Sequence, residues 1–70
     1  MEKRKMFPEF KNAKLAKYLK EEVQTYKQCT ISNALKRYDL EIVCNGFRRR
    51  GDVSLQEYDN FVEYLNKIFP

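Results

Sequence analysis

Residues 40–51 read Leu-Glu-Ile-Val-Cys-Asn-Gly-Phe-Arg-Arg-Arg-Gly, and this stretch decides the predicted fold. Every second residue from Leu40 to Cys44 is apolar, which is the period of two expected of a β-strand. The dipeptide Asn45-Gly46 favours a type I′ turn, because both central residues of that turn need positive φ. The sequence therefore predicts a β-hairpin over residues 40–50.

A helix is predicted before the hairpin, over residues 8–27. Pro8 and Glu9 suit a first helical turn, since a missing N–H is harmless there and a carboxylate meets the positive end of the helix dipole. Whether residues 9–27 form one helix or two stays open. Residues 1–7 are expected to be flexible.

Two further helices are expected, one on each side of the hairpin. A short helix over residues 31–38 follows a capping Thr or Ser. The last helix, over residues 54–69, opens at Ser54 with the capping box Ser54-Leu55-Gln56-Glu57. Its apolar stripe is wide, so it should pack on the first helix or on another subunit, which makes a homodimer or cooperative assembly an expectation.

These elements together predict one domain spanning residues 1–70. The expected class is α+β, in the order α-α-β-β-α, with the hairpin docked on the last helix. Seventy residues leave room for a single hydrophobic core.

The charge of the chain, +4 overall, is divided unevenly. Residues 1–20 and 36–51 are net basic, whereas residues 52–70 are net acidic. One surface should therefore be positive. Lys14 and Lys17 lie on the polar side of the first helix, where they either face phosphates or form an ordinary solvated surface.

The inward side of the 31–38 helix is expected to carry Ile31, Ala34, Leu35 and Tyr38. Its outward side is expected to carry Ser32, Asn33, Lys36 and Arg37. An Asn side chain can bond the edge of adenine twice, and Lys or Arg can reach phosphate or guanine. Arg48, Arg49 and Arg50 follow, either on a paired second strand of the hairpin or in an arginine loop that ends at Gly51, and they would add phosphate and minor-groove contacts.

Several kinds of chemistry have no residues to support them. The chain has no histidine, no phosphate-binding glycine loop and no nucleophile elbow, so we predict that it is not an enzyme and uses no metal or cofactor. Cys29 and Cys44 are expected to be buried thiols, and a disulfide between them stays open as the alternative. No apolar run reaches membrane-spanning length and no signal peptide is seen, so an intracellular, cytoplasmic protein without membrane contact is expected.

The order of features over residues 30–69 resembles the small winged-helix proteins of the excisionase type, which are found in phages and conjugative elements. The resemblance rests on Ser32 to Tyr38 as a recognition helix, Leu40 to Arg50 as the wing, and the helix opened by Ser54. Such proteins bend DNA to direct site-specific recombination. The resemblance implies that Asn33, Lys36 and Arg37 read or anchor DNA and that the three arginines lie on the wing.

The leading functional hypothesis is a small basic protein that binds double-stranded DNA, as an excisionase-like or transcriptional regulator. The alternative is a phage or mobile-element protein that binds and inhibits a host protein, such as a nucleic-acid enzyme. A third class is RNA binding, with Phe47 or an exposed tyrosine stacking on a base. The sequence leaves all three open.

Overall fold

The computed structural model describes residues 6–70 and shows three α-helices. They are α1 (Ala13–Lys27), α2 (Asn33–Arg49) and α3 (Leu55–Ile68). Residues 6–70 contain no β-strand, so the prediction of an α+β winged-helix domain is wrong, and the described chain is all-α. α2 packs against both α1 and α3.

The predicted hairpin over residues 40–50 is instead the second half of α2. Ser32 caps this helix by accepting a hydrogen bond from the Leu35 backbone N–H at 3.2 Å. Leu40 and Cys44, four residues apart, are completely buried on its inner side. Burying this helical stripe outweighs the turn preference of Asn45-Gly46, because a glycine in a helix interior costs only about 1 kcal/mol.

Gly51 ends α2. The sequence predicts it as the end of an arginine loop, whereas in the structure it ends a helix. Its φ is +87°, a left-handed conformation that glycine adopts without a steric penalty. The Gly51 N–H donates to the Arg48 carbonyl and the Asp52 N–H donates to the Phe47 carbonyl, both at 3.0 Å. This pair of bonds is the Schellman motif, which satisfies the last free carbonyls of a helix.

α1 begins at Ala13, five residues later than predicted, and runs to Lys27 as a single helix. Asn12 is its N-cap, since the Asn12 side chain accepts a hydrogen bond from the Leu15 N–H at 3.1 Å. An Asn is a strong capping residue. Pro8 and Glu9 therefore precede the helix instead of forming its first turn.

The segment before α1 covers the aromatic side of α3. The Phe7 ring lies 5.3 Å from the Tyr64 ring and 6.0 Å from the Phe61 ring, both edge-on. Phe10 packs on the same Phe61 ring at 6.0 Å. Of the segment predicted to be flexible, residues 1–7, the first five lie outside the described residues. Phe7, in the same segment, packs on the core.

α3 opens with the predicted capping box, which the structure confirms. The Ser54 side chain accepts from the Glu57 N–H at 3.0 Å, and the Glu57 carboxylate accepts from the Ser54 N–H at 2.8 Å. The other Glu57 carboxylate oxygen accepts from the Lys11 backbone N–H at 2.8 Å. Glu57 therefore fastens the segment before α1 to the first turn of α3.

All three helices contribute to the core. Leu19 of α1, Leu40 of α2, and Phe61 and Leu65 of α3 are fully buried in it. Both cysteines are free thiols: Cys44 is buried in this core, whereas Cys29 is exposed. None of the helices within residues 6–70 is long and apolar enough to cross a membrane.

Candidate nucleic-acid interface

The first half of α2 faces the opposite way from the sequence prediction. Leu35 and Tyr38 were expected to face inward and are exposed. Lys36, expected to face outward, is only 7% exposed. Arg37 is also partly covered. The sequence predicted the correct element here but the wrong buried side.

The C-terminal end of α3 is contacted by three polar side chains of α2: Asn33, Lys36 and Arg37. The Asn33 side-chain amide donates to the Pro70 carbonyl at 3.2 Å, and the Arg37 guanidinium donates to the Phe69 carbonyl. The Lys36 ammonium lies 5.3 Å from the centre of the Phe69 ring. Cations stabilise a helix C-terminus because its free carbonyls carry partial negative charge. Reading DNA bases with these side chains would require giving up these contacts.

The other basic residues gather where α1 begins and α2 ends. The two helices run antiparallel: the Tyr18 and Phe47 ring centres lie 5.9 Å apart, and the Tyr26 hydroxyl, later in α1, donates to Asp39, earlier in α2. Residues 11–18 and 47–53 therefore lie side by side. They carry six Lys or Arg residues and one acidic residue, Asp52. We call the six the basic end: Lys11, Lys14, Lys17, Arg48, Arg49 and Arg50.

The three arginines of the basic end differ in their contacts and in their exposure. The Arg48 Nε donates to the Asn45 side-chain oxygen at 2.9 Å, and its guanidinium lies 5.6 Å from the Tyr58 ring centre. This arginine is partly buried between α2 and α3. Arg49, one position further along the helix, is exposed to solvent. Arg48 therefore supports the fold, whereas Arg49 is available to a ligand.

Arg50 lies over an aromatic ring while its charge stays in solvent. Its guanidinium is 5.2 Å from the Phe47 ring centre, within the range of a cation–π contact. Its Nε is 3.8 Å from an Asp52 carboxylate oxygen, and the Arg50 side chain is 69% exposed. An exposed ion pair of this length contributes little to stability. Phe47 thus orients Arg50 without neutralising it.

Lys14 and Lys17 lie on exposed surface of α1 within the basic end. Lys14 borders an open cleft of about 300 Å³, together with Asn12, Tyr18, Phe47 and Asp52. Tyr18 is 45% exposed there. The cleft is shallow and mostly apolar, with Lys14 at its border and the Arg50 guanidinium over the Phe47 ring that helps to line it. Such a surface can bind a polyanion through phosphate oxygens.

The pKa shifts within the described chain create no reactive group. Burial raises the pKa of the Cys44 thiol to about 11, with a smaller contribution from the Glu57 charge, so the thiolate is disfavoured at neutral pH. The backbone hydrogen bonds from Ser54 and Lys11 lower the pKa of the Glu57 carboxyl. Burial raises the pKa of Tyr64. In residues 6–70, no group of three or more Cys, Asp or Glu side chains could hold a metal ion.

Sequence reasoning missed the residues that organise the basic end. Tyr18 and Asn12 were not candidates, because their role depends on α1 lying antiparallel to α2. The Asn45 contact to Arg48 was hidden by the hairpin prediction, although a spacing of three residues places both on one helix face.

The chain matches no protein-family model, and neither the curated proteins nor the solved structures include a significant match. Nothing in these comparisons bears on the excisionase resemblance. The hairpin wing that this resemblance implies is replaced by helix in residues 40–49.

Proposed function

We propose that this chain binds double-stranded DNA through the phosphate backbone, using the basic end. The observation that carries the proposal is the meeting of residues 11–18 and 47–53, held together by the Tyr18–Phe47 contact. Four cations of α1 and α2, with Lys11 just before α1 and Arg50 just after α2, then share one end of the domain. The acidic residues beside them are Asp52, Glu9 and Glu57. Clustered cations on one surface release counterions from DNA, which provides most of non-specific affinity.

The contacts available favour backbone binding over base reading. Asn33, Lys36 and Arg37 are occupied at the end of α3. Arg49 and Arg50 are exposed but lie at a helix terminus, where they can reach phosphates. Phosphate contacts position a protein on DNA and carry no sequence information by themselves. The proposed binding is therefore tolerant of sequence.

The aromatic residues of the basic end favour a duplex over a single strand. Proteins that bind single strands stack bases on open aromatic faces. The Phe47 ring has the Arg50 guanidinium over it and the Tyr18 ring edge-on beside it. Tyr18 alone leaves one partly exposed ring, which is a small stacking surface. The cations remain the main feature that a nucleic acid meets.

The test is a salt titration of binding to a fluorescent duplex, followed by anisotropy. With about four phosphates neutralised, the slope of log K against log salt should be about −3.6. Replacing Lys14 and Arg49 together by alanine should reduce the magnitude of that slope by about 2 and weaken binding. Neither exposed side chain supports the core, so the fold should be retained, as far-UV circular dichroism can verify.

A matched control removes two cations from the other end of the domain. Lys27 ends α1 and Lys67 lies in the last turn of α3, and both are exposed. The Lys27→Ala, Lys67→Ala variant has the same net charge as the test variant and should bind nearly as wild type. Equal losses in the two variants, or no duplex binding by the wild type at low salt, would refute the proposal. Tighter binding to a single strand than to a duplex would refute the choice of duplex DNA.

A further inference from the structure

The outward side of α2 carries a line of large apolar side chains that nothing in the described chain covers. Ile31, Leu35, Tyr38 and Ile42 are 40%, 52%, 62% and 53% exposed. Leu35, Tyr38 and Ile42 are three and four residues apart, which places them in one row along the helix, and Ile31 lies just before the N-cap Ser32. We call this row the α2 stripe. It lies on the side of α2 opposite Leu40, which is buried in the core.

We infer that the α2 stripe is the contact surface between two copies of this chain, paired face to face with their α2 helices antiparallel. A twofold dimer uses the same surface on both copies, and a continuous apolar row is complementary to itself. This inference does not depend on the proposed DNA binding, because it rests on apolar side chains and on none of the six cations, although Arg49 lies at the end of the same helix face, seven residues after Ile42.

The stripe supplies about half of the area that each partner contributes to a standard dimer interface. At these exposures, the four side chains leave on the order of 400 Å² of accessible surface, which is the size of the largest apolar patch on a typical monomer. A standard interface takes about 800 Å² from each partner, of which roughly 57% is apolar. The stripe therefore supplies most of the apolar area that one side of such an interface requires.

The shape of α2 allows a second helix to approach. Gly46 lies on the outward side of α2 beyond Ile42, and a Cβ built there would meet no atom within 4 Å. Ala34, on the same side near the start of the helix, is also small and exposed. In an antiparallel pair centred near position 40, Tyr38 of each copy lies next to Ile42 of the other. These two are the most exposed side chains of the α2 stripe.

The distribution of charge selects the antiparallel arrangement. Arg48, Arg49 and Arg50 close one end of α2. A parallel pair would bring six arginines together, whereas an antiparallel pair separates them. With 1.5 Å of rise per residue, the two Arg49 Cα atoms lie about 27 Å apart along the helix axes. At that distance their repulsion is screened at physiological ionic strength.

An acidic residue lies on each edge, or rim, of the α2 stripe, and these charges determine how dimerisation depends on salt. Asp39 lies on the rim towards α1, where it accepts a hydrogen bond from the Tyr26 hydroxyl at 3.3 Å. Glu41 lies on the other rim, beside Tyr58. An antiparallel pair brings each carboxylate near its counterpart, and added salt screens that repulsion. Dimerisation should therefore strengthen with salt, whereas DNA binding weakens with it.

The test is sedimentation equilibrium of the full chain over micromolar to millimolar concentrations, with Ile42→Glu as the test variant. Ile42→Glu places a charge in the middle of the contact in both copies and should weaken dimerisation roughly a hundredfold. Leu55→Glu is the matched control, because Leu55 is equally exposed but lies on α3 outside the stripe. It should leave the dimerisation constant unchanged. Leu35→Glu provides a second test variant should Ile42→Glu perturb the fold.

A dimer lost in Ile42→Glu and retained in Leu55→Glu supports the inference. A wild-type chain that stays monomeric at the highest concentration overturns it and leaves the stripe to a different protein. A dimer unaffected by Ile42→Glu and Leu35→Glu also overturns it. A Lys14→Ala, Lys17→Ala variant changes α1 only, so it should weaken DNA binding and dimerise as wild type, and failure of DNA binding and failure of dimerisation are separate results.

Discussion

Alanine at position 46 tests whether Asn45-Gly46 forms a turn or lies within a helix. Gly46 lies inside α2, and a Cβ added to it meets no atom within 4 Å. A glycine in a helix interior costs about 1 kcal/mol relative to alanine. Gly46→Ala should therefore increase the free energy of unfolding by about 0.5–1 kcal/mol. For a domain of this size, 1 kcal/mol corresponds to a rise of roughly 4–8 °C in Tm.

The same substitution at Gly51 should have the opposite effect. A Cβ at Gly51 also meets no atom within 4 Å, but the φ of +87° is unfavourable for an L-residue. Gly51→Ala should lower the free energy of unfolding by about 1 kcal/mol. Thermal and urea denaturation, followed by far-UV circular dichroism, measure both changes. A Gly46→Ala chain that is less stable than wild type would refute the helical assignment, because a type I′ turn needs positive φ at that residue.

Three further predictions follow from the contacts around the core. Glu57→Gln should cost about 0.3–1 kcal/mol at neutral pH, because Gln can keep the capping-box hydrogen bond but loses the negative charge at the positive end of α3. Folding lowers the pKa of the Glu57 carboxyl, so the charged carboxylate contributes to the free energy of unfolding above the ordinary carboxyl pKa. That contribution is lost as the pH falls through the lowered pKa. The free energy of unfolding should therefore fall less steeply with acid in the variant than in the wild type. Ellman's reagent should label Cys29 but not Cys44 in the native chain, and both after denaturation; rapid labelling of both in the folded state would contradict the burial of Cys44. Phe7→Ala should cost about 1–2 kcal/mol in urea denaturation with the helical signal retained, and an unchanged midpoint would contradict its packing on α3.

The sequence predicted the beginning of α3 correctly because the signal there is local. Ser54 and Glu57 satisfy each other's backbone through neighbouring atoms, so the capping box does not depend on distant packing. Asn12 offers a similar local signal for α1. It was overlooked because Pro8 and Glu9 also suit a first turn.

The hairpin prediction failed because two patterns coincide over residues 40–44. Leu40, Ile42 and Cys44 alternate as in a strand, yet Leu40 and Cys44 are also four residues apart, as on one helix face. Only tertiary burial distinguishes the two patterns, and Ile42 ends up on the exposed side. Asn45-Gly46 is a strong local turn signal, but α2 continues through it and ends at a different glycine, Gly51.

The candidate site was predictable in its charge and not in its geometry. The run Arg48-Arg49-Arg50 is visible in the sequence, as are Lys14 and Lys17. Their grouping depends on the antiparallel packing of α1 and α2, which no local pattern encodes. The roles of Lys36 and Arg37 could not be predicted either, because they depend on where the last residues of the chain lie.

The attachment of the segment before α1 has a consequence for local opening of the molecule. Lys11 and Glu57 are separated by 46 residues, yet this segment is held mainly by their hydrogen bond and by the rings of Phe7 and Phe10. Few contacts hold this segment, so it should detach at a lower free energy than that of global unfolding. Detachment would uncover Phe61 while the three helices stay formed. Amide hydrogen exchange should therefore show residues before Ala13 exchanging well ahead of α3, and a protease should cut there first.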